Sequence, residues 1–525
     1  MTDASQHSGT SRRRADGWVA ARCRRAALLT GASLLGLSDA SAAVIPITPA
    51  DNYTKIEAAQ PGDEVVIAPG TYRFRVHLTA HAPPTAPIYI HAQDPNHKPV
   101  WDLSATLVEN APGSYTAGDR GRGGWQVDGG ANYQLAGLVF TGCHTSSRNS
   151  AGLRYYHGTT GLVLKDCLFR ANDNGLTGGT ENSDVTVEFC ELDHNGDPTA
   201  SAPTHNLYIY GGTFTLRYSY VHDTLQAENF HVRAHDSTLE YNWFARATNY
   251  EGDLMTDDDF SGPGPFTQAM TLRGNVFVQS AAPANHGQVL VSFNDTRLAN
   301  DTMSLRVIQN TFVGNGGNAA FVHLSNADGT TMTAEVSNNL ISGTGRPTLA
   351  ENLASASLSG ANNWLAAGGN PGPLSNSVFG ASPGFKNPAA EDYTLAPGSA
   401  ALGAASLTVV GLPIKEYYLN EVVARQYRLR ATARDIGAFE SATTGPGIGP
   451  YDTPPAPRLG AAQAGNRVTL TWPLTAADYL LDQRLRLANA NAWTQVPSPY
   501  TTNPPNVCVT LPLAAPEAFY RLRRP

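Results

Sequence analysis

One short signature returns along this chain at intervals of 23 to 35 residues, and a repeat of that length restricts the fold more than any other feature of the sequence. It reads LVLKDCLF (162–169), VTVEFCEL (185–192), FTLRYSYV (214–221), STLEYNWF (237–244), MTLRGNVF (270–277), LRVIQNTF (305–312) and AEVSNNLI (334–341). A unit this short cannot bury its own apolar face, so neighbouring copies must stack into one continuous core. The chain is therefore a solenoid.

Within each copy apolar and polar residues alternate, as in Phe214, Leu216 and Val221, which is the period of a strand that then bends. Aligned, the copies place Cys167, Cys190, Ser219, Asn242, Asn275, Asn310 and Asn339 in one column. Asparagine at a bend tolerates the left-handed region. Stacked about 4.8 Å apart, the amides can bond along the stack as an asparagine ladder.

These repeats resemble those of the right-handed parallel β-helix, the pectate lyase-like fold. Near the start, AAQPGDEVVIAPGTYRF (58–74) and PIYIHA (87–92) resemble the first coil of secreted polysaccharide lyases of the chondroitinase B and alginate lyase type. Near the end, DYTLAPGSAALGA (392–404) and RDIGAFE (434–440) resemble the closing coil of bacterial β-helix proteins. The resemblance implies an all-β chain with a right-handed parallel β-helix over residues 44–441. This fold hosts lyases, hydrolases and non-enzymatic surface proteins, so chemistry must come from the site.

Residues 1–43 combine Arg22, Arg24 and Arg25, an apolar run at 26–37 and the small residues 40–43, the layout of a cleaved signal peptide. Export to the periplasm, the cell surface or the medium is expected. Cleavage after residue 42 removes six arginines and three aspartates from 36 basic and 44 acidic residues, leaving 30 and 41, a net charge of −11. That acidity, with five lysines in the whole chain, argues against a nucleic-acid partner. No other apolar stretch is long enough for a membrane span, and a monomer is expected. Cys167 and Cys190 fall in adjacent coils of one column, which allows either a disulfide or two packed thiols. A Gly- and Pro-rich linker is expected at 442–457, then a small β module, similar to a fibronectin-like sandwich, at 458–525.

Two rows of side chains point away from the core. On the signature strand, Lys165, Glu188, Arg217, Glu240 and Arg273 alternate in sign, as a stabilising charge ladder does. On the preceding strand, where Leu207, Ile209, Phe230 and Val232 face inward, the outward groups are Arg154, Tyr156, Tyr208, Tyr210, His231, Arg233 and Asp257, with His205 beside them. Tyrosines beside arginines suit a sugar-acid polymer, the rings packing on pyranose faces and the guanidiniums gripping carboxylates.

The segment 228–233 resembles the strand that carries the catalytic base in the chondroitinase B and alginate lyase families. The resemblance makes Glu228 an acidic, calcium-binding group and sets Arg233 where a lysine base would stand. Arginine is a poor base but neutralises a carboxylate or an enolate. The expected roles are therefore His231 as base, Arg233 as neutraliser and Tyr208 or Tyr210 as proton donor, with Arg154, Tyr156 and His205 binding substrate. Glu228, Asp253 and Asp257 are the candidate calcium ligands. The expected activity is β-elimination on an acidic, uronic-acid polysaccharide. A hydrolase drawing on Glu228, Asp253, Asp257, Asp258 and Asp259, and a non-catalytic carbohydrate-binding or adhesin protein, are the alternatives.

Overall fold

The computed structural model describes residues 42–525 except 82–85, 115–120, 131, 257–266, 282–286, 294–300, 316–319, 327–330, 344–345, 352–355, 418–424, 455–456, 474–475, 477–478, 485–492, 498–499, 504–505, 513–517 and 524–525. The proposed signal peptide, residues 1–43, lies almost wholly outside the described residues, and Asp257, Asp258 and Asp259 lie outside them too. Among the described residues no helix is long and apolar enough to cross a membrane. The chain divides into two compact units, one ending at Pro450 and one containing Tyr451–Pro525.

The first unit is a parallel β-helix. Each signature copy supplies a strand to one 12-stranded sheet, bends, and supplies a three-residue strand to a second 12-stranded sheet. The chain then turns again into a third sheet of 10 strands before the next copy begins. Pairing between coils is parallel and in register: Leu164, Val187, Leu216, Leu239, Leu272, Val307 and Val336 stand in one column of the first sheet. All seven are fully buried. In the second sheet Phe244, Phe277 and Phe312 stack at 5.0 and 4.7 Å. The single core thus runs the length of the solenoid, as the period-two pattern requires.

The asparagine column is a hydrogen-bonded ladder. Asn242 Nδ2 donates to Asn275 Oδ1 at 3.1 Å, Asn275 to Asn310 at 3.0 Å, Asn310 to Asn339 at 3.0 Å, and Asn339 to Asn363 at 3.1 Å. The backbone geometry differs from the sequence expectation. The left-handed position is the residue before the ladder, as at Tyr218 (φ 55°), Tyr241 (φ 57°), Gln309 (φ 50°) and Asn338 (φ 60°), so the asparagine serves as a bonding group and not as the turn-former. Cys167 and Cys190 are free, buried thiols, with the Cys167 backbone N–H 3.4 Å from Cys190 Sγ.

The charge row forms the ion pairs its alternation implied: Arg217 with Glu188 at 2.9 Å, Arg273 with Glu240, and Lys165 with Glu188 at 3.9 Å. It is less exposed than an outward row suggests. Gly411 O accepts from Arg273 at 3.2 Å, and Lys415 donates to Tyr218 at 2.9 Å while lying 5.0 Å from the centre of the Tyr427 ring. The closing segment therefore straps this edge. Ile448, within the stretch read as linker, pairs with Tyr427 and packs in the same aromatic cluster.

The second unit is a small antiparallel β module. Its sheets pair Gly460–Ala464, Arg467–Pro473, Asn506–Pro512 and Thr501–Asn503, and separately Thr494–Gln495, Leu480–Arg484 and Phe519–Arg523. Leu470, Trp472 and Leu481 form its core.

Candidate functional site

The third sheet places the candidate residues. Its strands Leu207–Tyr210, Phe230–Arg233 and Tyr250–Met255 pair in register, so that Tyr208, His231 and Asp253 form one column and Tyr210 stands opposite Arg233 in the next. Leu207, Ile209, Phe230, Val232 and Leu254 point into the core, which turns the intervening side chains to the opposite face. His205 and Glu228 lie just before their strands, at the entry bend.

A second polar ladder fixes that bend. Asn172 Nδ2 donates to Asn195 at 2.9 Å, Asn195 to Asn206 at 2.8 Å, Asn206 to Asn229 at 2.8 Å, and Asn229 to Glu251 Oε2 at 2.8 Å. All five side chains are fully buried. Two of the rungs adjoin site residues, Asn206 beside His205 and Asn229 beside Glu228. Sequence reasoning missed this ladder because insertions of different length separate its rungs. The signal available was an Asn just ahead of the apolar start of the strand, at Asn206-Leu207 and Asn229-Phe230.

The site is a compact cluster. His205 Nδ1 lies 3.0 Å from Glu228 Oε2, and Asn249 Nδ2 donates to Glu228 Oε1 at 2.6 Å. His231 Nδ1 lies 3.2 Å from Asp253 Oδ2, while Arg233 Nε donates to His231 Nε2 at 2.9 Å. That donation needs an unprotonated Nε2, so the imidazole proton sits on Nδ1, towards Asp253. The Tyr208 ring stands edge-on to His231 at 4.9 Å and 5.3 Å from His205. His205, Glu228, His231, Arg233 and Asp253 are all buried, whereas Tyr208, Tyr210 and Tyr156 are half-buried and form the accessible surface.

Burial drives the two carboxyls apart. It pushes Asp253 up to about 8, helped by the Glu228 charge and opposed by His205 and Arg233. Burial also works to raise Glu228, but the His205 contact, the His231 imidazole and the Asn249 amide outweigh it and hold that group below its ordinary value. Burial and the neighbouring Tyr156 raise the Tyr210 phenol, which keeps its proton.

The structure adds detail to two of the sequence assignments. Arg154 does not present a free fork: its Nε donates to Tyr156 O–H at 2.9 Å and its Nη1 to Asn149 O at 2.7 Å, and its side chain is buried. It holds Tyr156, whose ring lies 6.3 Å from Tyr210, and so supports the aromatic surface from behind. Of the three candidate calcium ligands, Asp257 lies outside the described residues. Calcium takes six to eight oxygens, but among the described residues the group that gathers around Glu228 is His205, Glu228 and His231, with one carboxylate and two imidazoles. Asp253 lies beside His231 in the next coil.

No protein-family model matches this chain, and no curated protein matches it. Among solved structures it is similar to an alginate lyase from Paenibacillus sp. str. FPU-7, with 13% identity, a TM-score of 0.36, and coverage of 64% of this chain and 99% of that one. It is also similar to the PL6 family alginate lyase AlyGC, with 12% identity, a TM-score of 0.34, and coverage of 64% and 53%. A DFA-IIIase from Arthrobacter chlorophenolicus A6 is similar too, with 12% identity, a TM-score of 0.30, and coverage of 62% and 89%. The chain thus spans about half the length of AlyGC. These are distant likenesses of β-helical winding, and no residue role is taken from them.

Proposed function

We propose that this chain is an exported carbohydrate-active protein that cleaves a uronic-acid polysaccharide by β-elimination on the third sheet. The observation that carries the reading is the contact between Arg233 and His231, because it joins a carboxylate-gripping cation to a candidate base. In the structure as it stands Arg233 occupies Nε2, so His231 cannot take a proton there. A uronate carboxylate offers the guanidinium a bidentate acceptor. When Arg233 turns to it, two things follow: charge that acidifies C5 is supplied, and the Nε2 lone pair is released to remove that proton. Asp253 Oδ2 stands 3.2 Å from Nδ1 and backs the ring on the side away from Arg233. Tyr208, beside His231 and half-buried, or Tyr210, which keeps its phenolic proton, donates to the departing glycosidic oxygen. The rings of Tyr156 and Tyr210 provide a stacking surface for neighbouring sugars.

One observation favours a second reading. A buried acid raised to about 8 near another carboxyl held below its ordinary value is also the division of labour a glycoside hydrolase needs. The two reactions leave different products. Elimination yields a conjugated unsaturated uronide with its own ultraviolet absorbance; hydrolysis yields reducing ends without it. Incubating the chain with alginate, pectate and glycosaminoglycans and following both signals tests the reading. Reducing ends alone would sink the lyase assignment, and neither signal would leave a binding protein.

A further inference from the structure

We infer that His205, Glu228 and His231 form a binding site for a borderline divalent transition metal, with zinc as its natural probe. One ligand atom from each residue lies within 4.8 Å of the others, and all three side chains are buried. Two imidazoles and a carboxylate are a donor set that zinc accepts, leaving a position open, and that a hard cation such as calcium does not select. The ligands are held from behind, as metal ligands usually are. Asn249 fixes the second Glu228 oxygen at 2.6 Å, Asp253 faces His231 Nδ1 at 3.2 Å, and the buried amides of Asn206 and Asn229 anchor the two bends that carry His205 and Glu228. The His205 and His231 rings lie 5.1 Å apart between centroids, on neighbouring coils of a rigid sheet.

Arg233 makes this site conditional. If the ion takes His231 Nε2, it occupies the lone pair that now accepts from Arg233. If it takes Nδ1, the ring proton moves to Nε2, which then can no longer accept. Either way metal binding and the Arg233 contact exclude each other. The chain therefore exists in two states, one with Arg233 on His231 and one with metal on His231 and the guanidinium released. Resting on the elimination reading above, the metal-loaded state lacks a free base and is inactive.

The test is zinc binding by the chelator-stripped chain, measured by calorimetry and by the shift in Tm, with calcium in parallel. The expected result is one zinc per chain, a Tm rise with zinc and none with calcium, and affinity at least ~10-fold weaker in His205→Ala, as loss of a ligand requires. Arg233→Ala removes the competitor and should bind about 10-fold tighter, a difference of about 1.4 kcal/mol. No stoichiometric zinc binding, or His205→Ala binding as tightly as the unaltered chain, would overturn the site. Should His205→Ala not fold, Glu228→Gln takes its place: zinc affinity weakened at least ~10-fold supports the site, and binding as tight as in the unaltered chain places the ion elsewhere, as on Glu191, Asp193 and His222, and refutes it. Binding is read without turnover, so a chain that takes zinc but never eliminates keeps this site and loses only the lyase reading.

Discussion

The first and third sheets of the β-helix have the same strand spacing, share the same core, and treat charge in opposite ways. On the first, every charge from Lys165 to Arg273 has an opposite partner in an adjacent coil, and the closing segment ties the end of the row down through Gly411 and Lys415. On the third, His205, Glu228, His231, Arg233 and Asp253 are gathered into three consecutive coils without alternation, with one acid raised and one lowered. Alternation gives every charge a fixed partner and nothing left to do. Clustering leaves groups whose proton or partner can change, which is what a reaction requires.

The sharpest way to break this contrast is to exchange the phenotypes of the two rows. His231→Ala should lower elimination by about 10²- to 10⁴-fold, the range for loss of a general base, when assayed well below the Tm of the variant. Arg217→Ala should do the reverse: turnover unaltered, and stability reduced by about 1 kcal/mol as the partly buried pair with Glu188 is lost. Turnover lost in Arg217→Ala, or retained in His231→Ala, would mean that sign alternation does not separate structural from chemical charge.

The first row was legible because it rides on the signature: Lys165, Glu188, Arg217, Glu240 and Arg273 occupy one alignment column, and the partners follow from stacking. The same logic found the faces of His231, Arg233, Tyr208 and Tyr210 from the inward Leu207, Ile209, Phe230 and Val232. What stacking does not determine is where a long side chain turns. Arg154 belongs to the outward row, yet it folds back onto Tyr156 and Asn149, and Asp253 turns to His231 in the neighbouring coil. Those choices rest on hydrogen bonds between residues in different coils, and no local pattern encodes them.

Both sheets depend on buried amide ladders, and removing a rung should cost stability without touching chemistry on the first. Asn275→Ala removes the acceptor for the Asn242 amide and backbone N–H at 3.1 and 2.9 Å, and the donor to Leu239 O at 2.8 Å. Stranding such buried groups costs about 1–3 kcal/mol each, so a total of about 3 kcal/mol and a clear fall in the chemical-denaturation midpoint are expected, at unchanged turnover in the cold. Asn229→Ala, a rung beside Glu228, should lose stability and turnover together.

The second ladder differs from the first in ending on an acid, which makes it sensitive to pH. Burial pushes Glu251 up to about 8, although the Ala247 backbone, the Asn229 amide and the Ser280 backbone favour its charge. Its folded value lies above its unfolded one, so the folded state holds the extra proton and stability falls as pH rises from about 4.5 towards 8. Glu251→Gln imitates the protonated acid and should flatten that fall, a difference of a few kcal/mol at most at the alkaline end. Parallel stability curves for the two chains between pH 5 and 8 would contradict it.

The smallest effect should come from Lys165, the outer end of the alternating row. Its Nζ is 3.9 Å from Glu188, whereas Arg217 reaches the same carboxylate at 2.9 Å through two nitrogens. The Glu188 charge is therefore satisfied without the lysine, whose ammonium also stands over the Phe189 ring, 5.9 Å from its centre. Lys165→Met keeps an apolar stem at this position and removes the long ion pair together with the distant ring contact, so a change below about 0.5 kcal/mol is expected. Because the row's strength lies in close, doubly bonded arginine pairs, a loss from Lys165→Met as large as that from Arg217→Ala would show that the row acts as one cooperative ladder instead of a series of independent pairs.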